Sequence, residues 1–201
     1  MPTLSEDESK RRLAAAGVPV PDEAVVADAY AAVGAAERIG FPVVSKLCGD
    51  GIAHKTERGL VRLRLGDAAA VRTAATELLG AARPEDGDVA VLVAPMVSGA
   101  RELIAGLHRD PTFGLTVMLG LGGVLAEAVG DVAFRLLPLS AEDAEELVDE
   151  RPAALLGPVR GEAAVDREAL ARLVRALAAY GAAEPALASA DLNPVVVTPE
   201  G

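Results

Sequence analysis

The chain has 201 residues, a net charge of −11 and 51% hydrophobic residues, with three Phe, two Tyr and no Trp. The acidic balance argues against duplex DNA, RNA or an anionic membrane surface as partner, and the scarcity of aromatic rings argues against a base-stacking platform for single strands. The one cysteine, Cys48, excludes an intramolecular disulfide and a CxxC metal site. The length allows one domain or two small lobes. No apolar run approaches about 18 residues, so no membrane span is expected. The acidic start, Met1 to Glu8, carries no signal-like apolar core, and a soluble cytoplasmic protein is expected.

In chain order, Ser5 to Ala16 reads as an amphipathic helix, stopped by Gly17-Val18-Pro19-Val20-Pro21. Glu23 to Ala27 suits a short strand. Asp28 fits an N-cap for a helix to Ile39, which Gly40 ends. Phe41 to Leu47 is an apolar strand, and Leu60 to Leu65 alternates as a half-buried strand does. Asp67 begins a helix through about Leu79, and Gly80 to Asp88 reads as a loop. Val89 to Ala94 is a continuous apolar strand closed by Pro95. Strands follow at Arg101 to His108, Leu115 to Leu119 and Ala133 to Leu137. Ser140 caps a helix from Ala141 to Asp149, and Asp166 caps another from Arg167 to Tyr180. A last strand spans Val195 to Val197. The pattern is mixed α/β (α+β), with lobes at residues 1–88 and 89–201 and a mainly antiparallel second half.

Chemistry concentrates in the loop Gly49 to Gly59, which carries His54 and Lys55 after the strand-end Lys46. Glycine lets backbone N–H groups approach phosphate oxygens, lysine supplies a point charge and histidine can accept a phosphoryl group. The spacing is not that of a Walker loop, and the same segment also reads as a surface turn with incidental charges. The acidic surface does not forbid a nucleotide. Charges beyond a Debye length of about 8 Å are screened, whereas one lysine about 4 Å from a phosphate is worth about 4 kcal/mol at an effective dielectric of about 20.

Four ordered segments resemble the ATP-grasp domain of ADP-forming acyl-CoA synthetases. The first is Pro42-Val43-Val44-Ser45-Lys46 with His54-Lys55-Thr56. The second is Arg101-Glu102-Leu103 with Arg109-Asp110-Pro111-Thr112-Phe113-Gly114. The third is Gly120-Leu121-Gly122-Gly123 with Glu127, Asp131, Phe134-Arg135 and Pro138-Leu139. The fourth is Asp191-Leu192-Asn193-Pro194. With the opening helix they cover nearly the whole chain. The resemblance is to the β-subunit type, or to the C-terminal module of a fused synthetase; a similar module occurs in some protein lysine acetyltransferases. It implies an ATP-grasp fold of two lobes enclosing a nucleotide, ATP/ADP and Mg²⁺ as cofactors, and a CoA-binding partner subunit or fused domain in a hetero-oligomer. It also implies that a phosphohistidine on that partner passes its phosphoryl group to ADP.

Carried over by position, the resemblance makes His54 the phosphoryl relay, with Lys55 neutralising the transferred group, and Lys46 a ligand of nucleotide phosphates. Glu102 is set to bind ribose hydroxyls, and Gly120, Gly122 and Gly123 to admit tight backbone near the ligand. Arg135 is a candidate phosphate clamp, with an ion pair to Glu127 or Asp131 as the competing assignment. Asp191 and Asn193 stand at the metal segment, where strand alternation puts both on one face for Mg²⁺. Purely structural roles remain open for each: a strand end at Lys46, a surface carboxylate at Glu102, packing glycines, a metal-free turn at 191–193. Cys48 reads as a small core residue and His108 as a surface residue.

Three departures from the family pattern are visible. Ala94-Pro95 stands where a polar-acidic pair often meets adenine, and Pro95 has no N–H to donate. Leu60 replaces a second glycine after the histidine loop. The sequence ends at Pro199-Glu200-Gly201, where the family usually turns into a strand bearing another acidic metal ligand, so one ligand and one strand are expected to be missing. These departures leave a non-catalytic regulatory or scaffold module as the alternative.

Overall fold

The computed structural model describes residues 4–49, 51–52, 57–97, 99, 101–123, 130–158 and 164–198. The chain divides into two compact units, one of Pro2–Arg12 with Val20–Met96, the other of Leu13–Pro19 with Val97–Gly201. The division falls at Met96/Val97 rather than at 88/89, because strand β4 (Ala90–Pro95) is hydrogen-bonded between β1 (Ala24–Val26) and β2 (Val43–Cys48).

In the first unit the sheet order is β1-β4-β2-β3, with β3 at Val61–Leu65, and every pairing is antiparallel. Helices α2 (Ala29–Ile39) and α3 (Ala68–Gly80) cover one face. Both start as their sequences require: the Asp28 carboxylate accepts from Ala31 N at 2.8 Å and the Asp67 carboxylate from Ala70 N at 2.8 Å. Alanines at 32, 35, 36 and 75 meet Val43, Val71, Val91 and Val93 in a core without an aromatic ring. Small side chains let the helices lie close to the sheet, which explains how a chain so poor in rings still fills its interior.

In the second unit the order is β7-β6-β5-β8, again antiparallel throughout, with β5 at Arg101–Asp110, β6 at Gly114–Leu121, β7 at Val132–Leu136 and β8 at Ser189–Val197. The Asp110 carboxylate accepts from Thr112 N (2.7 Å) and Phe113 N (2.9 Å) in the β5–β6 turn, and these bonds lower its pKa. One sheet face packs on helices α4 (Ala141–Asp149) and α6 (Arg167–Ala183), with the short α5 (Ala153–Leu156) between them in sequence. Leu103, Ala105, Leu107, Val117 and Leu119 point into this core with Leu147, Val174 and Leu177. Ser140 and Asp143 form the capping box that starts α4.

Two elements run further than expected. Helix α6 passes through Gly181 to Ala183. A Cβ at Gly181 would lie 2.7 Å from Leu107 Cδ1 and 2.8 Å from Leu115 Cδ2, so this glycine is a packing notch and not a stop. Strand β8 begins at Ser189 and carries Pro194 within it. Proline is tolerated because β8 is the edge strand and its register with β5 shifts between Leu103 and Ala105, where Asn193 and Pro194 together face Ile104. Helix α1 (Glu6–Ala15) opens the chain. No helix among the described residues is long and apolar enough to cross a membrane.

Candidate functional site

Strand alternation fixes where each candidate side chain points. On β2, Val43 and Leu47 join the helix-facing clusters, while Lys46 and Cys48 lie on the other side of the strand. The Lys46 ammonium donates to Glu6 Oε1 at 2.7 Å. The same oxygen accepts from Lys10 Nζ at 2.9 Å, one turn along α1, and Lys10 also donates to Glu23 Oε2 at 2.7 Å. Burial works against the Lys10 charge, but the bonds to Glu23 and Glu6 outweigh it and raise its pKa. Cys48 is buried beside Leu92 and Ala94, as expected of a small core residue.

His54 and Lys55 lie outside the described residues, and so does Glu127. The flanks of the histidine loop are described, and both are tied to one residue. Arg58 grips Asp86 with two hydrogen bonds, Nη1 to Oδ1 at 2.7 Å and Nη2 to Oδ2 at 2.9 Å. Gly51 N donates to the Asp86 carbonyl at 3.3 Å. Asp86 is fully buried and also accepts from Arg83 N at 2.8 Å. Its pKa is lowered to about 2, chiefly by the hydrogen bond from Arg58. A Cβ at Gly49 would lie 3.0 Å from the Asp86 carbonyl oxygen, so glycine at the entry serves close packing against 85–88. Nothing in the motif spacing singled out Asp86; its sequence distance from Arg58 hides it.

In the second unit the motif Arg101-Glu102-Leu103 is split by alternation. Arg101 and Leu103 are buried on the helix side, where Arg101 Nη1 donates to Leu155 O at 3.0 Å. Glu102 is exposed on the opposite face, turned away from α4 and α6. The glycine turn approaches it closely: Gly122 N donates to Glu102 O at 2.8 Å, and a Cβ on Gly123, at φ +74°, would lie 3.2 Å from Glu102 Oε2. At Gly122 a Cβ would meet Leu103 backbone at 2.9 Å, and at Gly120 it would meet Asp131 O at 2.6 Å. The packing role therefore holds for Gly120 and Gly122, whereas Gly123 needs glycine for its dihedral.

Asp191 pairs with Gly106 across β5 and β8, and both Asp191 and Asn193 are exposed, on the same face as Glu102. The alternation expected for them is present. Burial by surrounding chain raises the Asp191 pKa, the condition of a carboxylate short of compensating positive charge. No group of three His, Cys, Asp or Glu arranged for a metal occurs among the described residues. Two oxygen donors on one face still fit Mg²⁺, which is commonly bound by one or two protein oxygens together with phosphate oxygens and water.

Arg135 departs from its expected place. It pairs with Val117 across β7 and β6, on the helix side, and its guanidinium binds Glu150 of the α4 end at 2.6 and 3.2 Å. That pair raises its pKa and occupies the fork expected to clamp phosphate. Of the partners considered from sequence, Asp131 instead binds Arg151 at 2.7 Å, and Glu127 lies outside the described residues. His108 is exposed opposite Ser189, on the face it shares with Glu102.

Comparison with known proteins gives a consistent likeness. The family model described as an ATP-grasp domain matches residues 2–201. The β subunit of acetate–CoA ligase (ADP-forming) I from Pyrococcus furiosus is 36% identical over 196 residues, covering 96% of this chain and 84% of that protein. The 4-hydroxybutyrate–CoA ligase (ADP-forming) of Nitrosopumilus maritimus is 33% identical over 204 residues; the chain spans 29% of its length. The dinucleotide forming acetyl-coenzyme A synthetase 1 of Ca. Korarchaeum cryptofilum, solved with coenzyme A and Ca-AMPCP, superposes with a TM-score of 0.90 at 37% identity, over 98% of this chain and 88% of that one. A second structure of it, with Mg-AMPPCP, is described with a phosphohistidine segment pointing towards the nucleotide binding site (TM-score 0.82, 38% identity, 96% and 85% covered).

Proposed function

The chain belongs to the ATP-grasp domain family, and from that premise we propose that it is the ATP/ADP-binding subunit or module of an ADP-forming acyl-CoA synthetase. Its fold is the ATP-grasp fold of mixed helices and antiparallel sheets. The likeness to β subunits and fused forms of ADP-forming acetate–CoA ligases supports a nucleotide-binding module and ligase activity, with an α-type partner or fused domain supplying the CoA site.

In this reading a phosphoryl group passes between a phosphohistidine on the partner and ADP by way of His54. The P–N bond to the partner imidazole breaks as one to His54 forms; that bond then breaks as a P–O bond forms to the terminal ADP oxygen, and each imidazole leaves neutral at pH near 7. His54 relays the group and Lys55 offsets its charge; both assignments rest on the resemblance. Lys46 binds phosphate oxygens, since an ammonium about 4 Å from a phosphate contributes about 4 kcal/mol at an effective dielectric of about 20. Glu102 accepts from ribose hydroxyls beside the turn at Gly122 and Gly123. Asp191 and Asn193 would hold Mg²⁺, which when bound neutralises charge on the phosphates. Arg135 has no part in this scheme.

The observation that carries the proposal is the placement of Glu102, Asp191 and Asn193 together on the sheet face turned away from α4 and α6. Three oxygen-bearing side chains gathered on one face are available to a ligand, since the core takes none of them. The test is ADP titration by calorimetry in the presence of Mg²⁺, using the full chain and Lys46→Ala. Binding that weakens about a hundredfold or more in the variant supports the reading. Equal binding by both proteins, or none by either, overturns it. Labelled ATP supplied to the chain with its CoA-binding partner should mark a histidine.

A further inference from the structure

The first turn of α1 carries Glu6, Asp7 and Glu8, and acidic residues there need no explanation beyond the helix dipole. Glu6 does more than that. One oxygen receives both Lys46, forty residues away, and Lys10, four residues away, and Lys10 is held in turn by Glu23 just before β1. The Glu23 side chain is only 9% exposed. The result is a chain of alternating charges, Lys46–Glu6–Lys10–Glu23, whose far end is fixed in the body of the unit and whose near end is the lysine at the end of β2.

We propose that Glu6 is a positioning residue for phosphate binding: its carboxylate aims the Lys46 ammonium, with Lys10 and Glu23 bracing it from behind. The inference rests on the reading of Lys46 as a phosphate ligand. A lysine side chain loses rotamer freedom when it is fixed on a ligand, and a partner that already confines it removes part of that cost from the binding step. Lys46 has three N–H donors, and one of them satisfies Glu6, leaving two for phosphate oxygens. A carboxylate that merely plugged the phosphate position would have to leave on binding. Here its departure would also strip Lys10 of a partner, so the braced ladder favours a fixed strut.

The experiment measures ADP and adenosine affinity with Mg²⁺ for the full chain, Glu6→Gln, Lys46→Ala and the double variant. Thermal melts confirm that each is folded. Glu6→Gln is expected to weaken ADP about tenfold, equal to about 1.4 kcal/mol, to leave adenosine unchanged, and to add nothing in the Lys46→Ala background. A merely structural role would weaken adenosine as well, or add the same loss in that background, and either result overturns the proposal. Tighter ADP binding by Glu6→Gln would make Glu6 a plug and also overturns it. Unchanged ADP binding in Lys46→Ala is the distinct failure of the underlying phosphate assignment, and the proposal falls with it. Lys10→Met, which removes the brace alone, should shift ADP affinity in the same direction by a smaller factor; an unchanged or tightened affinity counts against the strut.

Discussion

The two units present their candidate residues by different means. In the first, the cation Lys46 and the Arg58 flank of the histidine loop are held by side chains distant in sequence, Glu6 for the lysine and Asp86 for Arg58, while the Gly51 flank bonds the Asp86 backbone carbonyl. In the second, Glu102, Asp191 and Asn193 are set by strand register and glycine contacts, with little side-chain support. A long lysine needs a partner to choose one direction. A short carboxylate or amide on a strand inherits its direction from the backbone. The first unit is therefore vulnerable where charges meet, and the second where backbones meet.

That contrast can be broken at its strongest point by Gly122→Ala. The added Cβ would press on Leu103 backbone at 2.9 Å, with no flexible side chain to yield. A loss of about 1–3 kcal/mol in denaturant unfolding is expected, together with weaker nucleotide binding through displaced Glu102; wild-type stability in this variant would remove backbone contact as the organising force. Asp86→Asn sharpens the other side. It should lower phosphoryl transfer about tenfold to a hundredfold by loosening the Arg58 flank of the loop while ADP affinity changes little, as read in single-turnover assays with the partner.

The pH dependence of that tether has a definite sign. Asp86 has a folded pKa of about 2 against an ordinary 3.8. A depressed carboxylate contributes stability that is full above 3.8 and is lost as pH falls through about 2. Acid unfolding of the wild type in that window should be steeper than that of Asp86→Asn. The smallest effect is expected from Arg135→Ala. Its partner Glu150 is half exposed, so the loss should be about 0.2–1 kcal/mol, with ADP affinity and turnover unchanged. A large loss of turnover would restore the phosphate-clamp assignment and blur the contrast.

Much of the fold was legible because its signals are local. Asp28, Asp67, Ser140 and Asp166 cap the helices assigned to them, and alternation in β5 and β8 correctly placed Asp191 with Asn193. The misreadings also have local causes. The helix expected to end at Tyr180 and the strand expected to begin at Val195 both run further, because tertiary contacts make Gly181 a notch for Leu107 and an edge strand absorbs Pro194. Of the ladder on Lys46, only the Glu6–Lys10 step has helical spacing that a sequence displays. The steps to Lys46 and Glu23, and the Arg58–Asp86 pair, join segments whose proximity exists only after the sheet has formed.

The extra residue in β8 has a further effect. Ahead of it, odd-numbered positions such as Asp191 face outward; beyond it the parity inverts, so that Val195 and Val197 turn inward to the core while Val196 takes the outer side. A single strand thus presents a hydrophilic row and then an oily anchor without a turn between them. Pairing β8 without the bulge but with every residue kept would force a choice between exposing Val195 and Val197 and burying Asp191, whereas deleting Pro194 would keep both faces as they are.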